Sequence, residues 1–251
     1  MPASANLGML DSLRLTLIVG MGVREIEQHY LIAEWLDRES VVVDLGGNVG
    51  RFTAVIREEF QCRVVVVEPE AANFEAIPSD GGIVKLRAAV GGRCGTITLD
   101  VSASDSTAHI AREDGQGRDG QRVELVEFST LIERAEVGAV DYLKVDIEGC
   151  EWEFFDAMTD AQLAAIPQIA VEFHDFVPEF RERARTWSVY ARLRSLGFRC
   201  VEDPAFASYN VLFARPKARR TGRSHAFRLR LLDFLLVTKW KLAKLKRLVC
   251  C

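Results

Sequence analysis

The sequence predicts a doubly wound α/β domain built on a mostly parallel sheet, and three observations predict it. Short apolar runs alternate with helical stretches along most of the chain. Many of the runs are rich in Val and Ile, which suits strands buried on both faces. The first of them ends in a glycine-rich turn that leads into a helix, the geometry in which such sheets hold nucleotides.

Each element follows in order. Glu25 to Leu36 carries apolar residues at helical spacing (Ile26, Tyr30, Ile32, Ala33, Leu36), which predicts a helix before the first strand. Val41 to Val43 is the first strand, closed by Asp44-Leu45-Gly46-Gly47, and Arg51 to Phe60 is the helix after it. Arg63 to Val67 is the second strand, closed by Glu68-Pro69, and Ile83 to Arg87 the third. Thr96 to Val101 and Arg122 to Val126 are β-like and flank the polar stretch Arg112 to Gly120, read as a mobile loop. Thr130 to Glu136 reads as a short helix with Thr130 and Glu133 spaced as a capping box. Val140 to Val145 and Ile169 to Phe173 are the fourth and fifth strands. A helix around Val189 to Leu196, stopped by Gly197, precedes Phe198 to Val201 and Val211 to Ala214, which look like a closing hairpin.

The alternation delimits one domain, residues 22–215, between an N-terminal segment, 1–21, and a tail, 216–251. Composition agrees with a globular chain: 251 residues, 49% hydrophobic and 27% charged. No apolar stretch reaches the ~20 residues of a membrane span. Six Cys without metal-ligand spacing, and no basic region before a clean apolar run, predict a reduced, cytoplasmic setting. Charge is segregated. From Arg215 onward there are 12 Lys or Arg against one acid, a tail of +11, while the rest of the chain carries −15. In a helix, Phe227, Leu231, Phe234, Leu235, Leu242, Leu245 and Val249 would share one stripe flanked by cations and Trp240. Such a helix at 217–251 suits the surface of an anionic membrane. It suits equally a face of the acidic body or of a second copy. A location at the inner face of the membrane is thus an extension of the cytoplasmic reading.

The first turn narrows the ligand. Glycines at 46, 47 and 50 with Asn48 between them break the Gly-x-Gly-x-x-Gly fingerprint of dinucleotide folds, and no Gly-Lys-Ser/Thr is present. Asp44, at the end of the first strand, would repel a pyrophosphate. It favours a ligand with an ammonium and a sulfonium, which describes S-adenosylmethionine. Glu68, at the end of the second strand, suits both ribose hydroxyls. The plainer readings are a loop acid for Asp44 and a solvated acid for Glu68.

Val42 to Gly50, Val67-Glu68-Pro69, Leu143-Lys144-Val145-Asp146-Ile147-Glu148-Gly149-Cys150-Glu151 and Val171-Glu172-Phe173-His174 resemble, in order and approximate spacing, the FkbM family of S-adenosylmethionine-dependent methyltransferases. The turn Ala88 to Gly91 matches as well. The resemblance covers roughly residues 22–215. It implies the class I (Rossmann-like) methyltransferase fold with a seven-stranded sheet, and methyl transfer to oxygen of sugar or polyketide hydroxyls. It implies a cofactor set of Asp44, Gly46, Gly47, Asn48, Gly50, Glu68 and Ala89. One departure is Phe128-Ser129, where the family usually has Leu-Asp.

Asp44, Glu68, Asp146, Glu148, Glu172 and His174 all fall at or just beyond strand ends. So many acids together need a cation, a hydroxyl-rich ligand or both. Asp146 is placed nearest the methyl group, with a helix N-cap as its alternative. His174 is the general base, and Glu172 orients it or binds a sugar hydroxyl. Their alternative is a polar strand end. Glu148, with Ser104, Ser106 and Thr107, lines the acceptor pocket, unless the Ser/Thr stretch is only a polar turn. Lys144 pairs with an acid. Asp146, Glu172 and His174 are also a candidate site for a divalent metal such as Mg²⁺. The leading function is therefore O-methylation of a sugar, glycolipid or related hydroxyl. The alternatives are a non-catalytic nucleotide-binding protein and a methyltransferase acting on a polyketide. Nucleic acid is not expected as a partner, since the body is acidic.

Overall fold

The computed structural model describes residues 22–100, 109–111, 120–175, 183–202, 210–215 and 231. The tail apart from Leu231, the N-terminal segment and Ser104, Ser106 and Thr107 lie outside the described residues, as does the polar stretch before Gly120.

A β-hairpin comes first, formed by β1 (Val23–Ile26) and β2 (His29–Ile32), followed by a single 3-10 turn at Ala33–Trp35. The helix expected at Glu25 to Leu36 is therefore absent. The reason is local: Glu27 and Gln28 both adopt positive φ, 46° and 67°, and make a two-residue turn that reverses the chain. Their types give no such signal, because Asn-Gly or Asp-Gly is the usual pair there.

The central sheet holds seven described strands. They are β3 (Val41–Leu45), β4 (Arg63–Val67), β5 (Ile83–Leu86), β10 (Tyr142–Val145), β11 (Gln168–Glu172), β12 (Arg199–Glu202) and β13 (Asn210–Ala214). Their spatial order is β12-β13-β11-β10-β3-β4-β5, and β13 runs against both its neighbours. The expected closing hairpin is the pair β12 and β13. Between β5 and β10 the chain forms a second sheet of four described strands. Its strands are β6 (Ala89–Val90), β7 (Gly95–Asp100), β8 (His109–Ala111) and β9 (Gln121–Val126).

The apolar runs are continuous because both faces of the central sheet are covered. Val43, Leu45, Val65, Val67, Leu143 and Val145 face one core. There they pack with α3 (Phe128–Arg134), α4 (Glu151–Ala157), α5 (Asp160–Ala165) and α6 (Arg183–Ser195). Val42, Val64, Tyr142, Ala170 and Leu212 face the other, under α1 (Arg51–Phe60) and the hairpin. The short helix α2 (Ala71–Ala76) follows β4 and is capped by the Glu70 side chain. Helix α3 starts two residues earlier than expected, at Phe128, and Glu127 caps it without a side-chain bond, so Thr130 and Glu133 form no capping box. The capping box is at Thr159 and Gln162, ahead of α5.

The hairpin is fixed to the sheet by a buried amide. Gln168 accepts from Ile32 N at 2.7 Å and donates to Ile32 O at 3.3 Å, so its side chain serves β2 as a strand would. The Tyr142 hydroxyl donates to Tyr30 O at 3.1 Å. Together they hold His29, the first residue of β2, over the carboxyl ends of β10 and β11.

Candidate active site

Strand register creates the centre of the site. β10 and β3 are parallel neighbours with Lys144 opposite Asp44. The Lys144 ammonium lies 3.1 Å from Asp44 Oδ1 and 3.3 Å from Asp146 Oδ2, and donates to Gly46 O at 2.8 Å. Thr53 of α1 donates to Asp44 Oδ2 at 2.7 Å. Burial works against the Lys144 charge, but Asp44 and Asp146 override it and hold the ammonium protonated. Burial likewise works against the Asp146 charge. Lys144 and His29 outweigh it and keep this carboxyl well below the usual range.

The glycine turn is stitched to β4, with Gly46 N and Gly47 N both donating to Val67 O at 3.0 Å. Gly46 has φ +77°, and a Cβ there would overlap the Asp146 carbonyl, so two strand-end loops meet backbone to backbone. A Cβ at Gly47 would strike Val66, and one at Gly50 would crowd Pro78. These glycines serve contacts within the protein, where the sequence suggested room for a ligand. Asn48 N donates to Glu68 Oε2 at 2.8 Å, and Glu70 N to Glu68 Oε1 at 2.9 Å. Burial raises the Glu68 carboxyl, and these two amides pull it back.

Beside this turn opens a cleft of about 630 Å³ including its mouth, within the range of small-molecule sites. Gly46, Asn48, Glu68, Ala89, Asp146 and Glu148 are among the residues that line it. Asp44 is not among them. Its carboxylate is fully buried beneath the floor and taken up by Lys144 and Thr53. The geometry therefore corrects the reading of Asp44 as a direct partner for the cofactor's ammonium. Glu68 keeps lone pairs for a diol after its two amides, so a ribose fits there.

The remaining candidates, His174 and Glu172, do not line the cleft themselves but gather behind Asp146 and Glu148, which do. His174 follows β11 and is buried. Its Nδ1 donates to Glu151 Oε1 at 2.8 Å, and its Nε2 lies 3.2 Å from Glu148 Oε2 and 3.9 Å from Asp146 Oδ1. Burial lowers its basicity, but Glu151, Glu148 and Asp146 together lift it to about 9. Glu172 ends β11. Burial, then the Asp146 charge, pushes its carboxyl up to about 7. Asp146 is no N-cap for α4, whose cap is Cys150.

Two residues of the site were not read from the sequence. His29 Nε2 lies 3.5 Å from Asp146 Oδ2, and its Nδ1 is buried with no hydrogen-bond partner. Its ring stands edge-on to Phe52 at 5.8 Å. Burial, then the Lys144 charge, lowers its basicity. It lay inside the stretch read as a helix. Glu151 is fully buried and accepts from Gly149 N at 3.0 Å as well as from His174. Its signal in the sequence is its place at the end of the Asp146 to Glu151 motif.

The family of the methyltransferase FkbM domain matches residues 44–200. A hexuronic acid methyltransferase, AglP, of Haloferax volcanii is 25% identical over 151 residues, 57% of this chain and 60% of that protein. The match thus spans less than two thirds of that relative's length. Methyltransferase 1 of Beauveria bassiana is 26% identical over 209 residues, 72% of this chain and 81% of that one. Among solved structures, precorrin-6y C5,15-methyltransferase of Geobacter metallireducens covers 86% of this chain and 94% of its own at a TM-score of 0.40 and 9% identity. The family match takes in the end of β3 with its glycine turn, Glu68 and the Asp146 to Glu151 motif, and by it the chain belongs to the FkbM methyltransferase domain family.

Proposed function

We propose that this chain transfers a methyl group from S-adenosylmethionine to a hydroxyl of a sugar, glycolipid or related small molecule. The observation that carries the reading is the pairing of two unlike walls in one cleft. Glu68, its oxygens held by two backbone amides, faces Asp146 and Glu148 across it.

Bound there, the cofactor supplies an electrophilic methyl on a sulfonium. The chain's own residues do the rest. Glu68 accepts from the ribose diol, and Gly46, Asn48 and Ala89 shape the floor. The acid-rich wall favours a ligand that arrives with positive charge. Asp146 and His174 flank the position for the acceptor hydroxyl. His174 starts charged, with its Nδ1 tied to Glu151, so it orients the acceptor oxygen, and the hydroxyl proton passes to a carboxylate of this wall as the methyl arrives. Alignment of the hydroxyl is the larger contribution, because the methyl is already electrophilic. The Haloferax relative is named for a hexuronic acid. The acids of this wall favour neutral hydroxyls over a bare uronate.

Calorimetric titration with S-adenosylmethionine, S-adenosylhomocysteine and NAD tests the cofactor. Binding of NAD alone would sink the proposal. An acceptor screen read by mass spectrometry, looking for one added methylene per transfer, tests the reaction. For the tail we propose an anionic membrane surface as partner. Removing residues 217–251 is expected to leave cofactor binding intact and abolish flotation with anionic liposomes. Among the described residues no helix is long and apolar enough to cross a membrane.

A further inference from the structure

We infer that Asp146, Glu148 and His174 form a site for one divalent cation of the Mn²⁺ and Mg²⁺ class, on the acceptor wall of the cleft. The inference deepens the reading above, since it rests on that wall being where the hydroxyl is held.

The first support is spacing. One donor atom from each of the three side chains lies within 4.8 Å of the others. His174 Nε2 is 3.2 Å from Glu148 Oε2 and 3.9 Å from Asp146 Oδ1. Two donors each about 2.1 Å from one ion stand roughly 3.0 Å apart at a right angle and roughly 3.5 Å apart at a tetrahedral one. The His174 to Glu148 separation is already that of a coordination edge, and the His174 to Asp146 separation is a few tenths of an ångström longer than the tetrahedral one.

The second support is how His174 is held. Its Nδ1 is tied to Glu151, a fully buried carboxylate, and this aims Nε2 at the other two acids. A carboxylate behind the imidazole is the usual outer partner of a ligating histidine, because it fixes the ring and makes the free nitrogen a better donor.

The third support is the asymmetry of Asp146. Its Oδ2 is shared by Lys144 at 3.3 Å and His29 at 3.5 Å. Its Oδ1 is buried with no hydrogen-bond partner. A buried carboxylate oxygen left in that state needs a cation or a donor, and Oδ1 is the one that faces His174. Charge adds a fourth argument. Asp146, Glu148, Glu151 and Glu172 converge here, and Lys144 is already shared with Asp44.

A second triad, His29, Asp146 and Glu172, also has its donor atoms within 4.8 Å of one another. The Lys144 ammonium decides between the two. It stands against the Asp146 oxygen that this second triad would use, and would repel a cation there. The site selected therefore keeps Glu148, where the sequence had suggested Glu172. Two carboxylates and one imidazole place the donor set between Mg²⁺, which prefers oxygen alone, and the later metals, so Mn²⁺ is the better occupant. The open positions would take two oxygens of the acceptor, such as a vicinal diol or a hydroxyl beside a carboxylate. That gives a uronate a route into an otherwise acidic wall.

The test is titration of the purified full-length chain with Mn²⁺, followed by electron paramagnetic resonance, after chelator treatment. One bound Mn²⁺ per chain is expected. Glu148→Gln and His174→Gln should each weaken it about tenfold or more, and Glu151→Gln about 10–100-fold through the imidazole. His29→Gln should change it less than about threefold, since the ion sits on the other Asp146 oxygen. Circular dichroism confirms that each variant is folded, and a variant that is not folded is replaced by the alanine change. Wild-type protein that binds S-adenosylmethionine but no Mn²⁺ overturns the inference and leaves the methyltransferase reading standing. Mn²⁺ binding that survives both ligand variants, or that falls with His29→Gln, overturns it as well. Mn²⁺ binding without S-adenosylmethionine binding would count against the function and for the ion site.

Discussion

The two walls of the cleft are built from the same kind of element, a strand end with acids, yet they are finished to different degrees. On the wall of β3 and β4, each carboxylate has a cation or donor within 3.1 Å, and Asp44 Oδ1, which makes no hydrogen bond, is held by the Lys144 ammonium. Asp44 has Lys144 and Thr53, Glu68 has two backbone amides, and the turn between them is bonded to Val67 O. On the wall of β10 and β11, acids outnumber cations. Glu148 takes a left-handed backbone at φ +51°, and the buried Asp146 Oδ1 makes no hydrogen bond and lies 3.9 Å from His174 Nε2, farther than Lys144 lies from Asp44 Oδ1. Left-handed conformations cost a residue other than glycine of order 1–3 kcal/mol and persist where the surroundings enforce them. The first wall is preorganised to receive a neutral diol. The second is completed only by what binds to it.

The strongest test of that contrast is the residue both walls share. Lys144 is almost fully buried and its ammonium serves Asp44 and Asp146 together. Lys144→Met keeps the volume and strands both carboxylates. Removing one member of a buried ion pair costs about 3–5 kcal/mol. Urea denaturation should show a loss of that size. An exposed pair such as Arg134 with Glu124 should cost under about 1 kcal/mol when broken. If Lys144→Met were no worse than Arg134→Ala, the shared charge would not be what holds the walls together.

Next in size is the division of labour within the finished wall. Glu68→Gln should weaken S-adenosylmethionine about tenfold or more, since a charge-assisted hydrogen bond contributes about 1.5–3 kcal/mol. Asp44→Asn should instead lower folding stability while a folded protein keeps most of its affinity, because its carboxylate never reaches the cleft. Calorimetry on both variants distinguishes them. The opposite pattern would return Asp44 to the cofactor.

Much of this was legible in the chain. The apolar runs of β3, β4, β10 and β11 announced buried parallel strands, and the acids at their ends announced the cleft. The hairpin was not legible, because Ile26, Tyr30, Ile32 and Leu36 satisfy a helical period as well as a folded-back pair. Only the positive φ of Glu27 and Gln28 separates the two, and their types do not encode it. His29 was lost with it. Asp44 was misplaced for another reason. Its position at a strand end suggested exposure to ligand, whereas the side chain emerges on the face covered by α1, where Thr53 and Lys144 receive it. Strand-end position is visible in a sequence, but the partner across the register is set by the pairing of strands about a hundred residues apart.

The smallest expected effect concerns the unfinished wall in metal-free protein. Glu172 titrates at about 7, raised by burial and by Asp146, against about 4.3 in an unfolded chain. A carboxyl with a raised value binds its proton more tightly when folded, so stability is full below about pH 4 and falls as pH rises through about 7. His174, held charged to about 9 chiefly by Glu151 against the cost of burial, works in the same direction. Its contribution is present below about pH 6.5 and is lost as pH rises through about 9. The melting temperature should therefore decline from pH 5 to pH 9. Glu172→Gln should remove the lower part of that decline, making the variant more stable than wild type at pH 8 and nearly equal at pH 4. Residual solvent around Glu172 limits the difference to about 1 kcal/mol, or about 2–4 °C. Melting curves across this range measure it. A wild-type stability that climbs between pH 6 and pH 9 would mean that the acids of this wall are already neutralised from within, and the contrast between the two walls would fail.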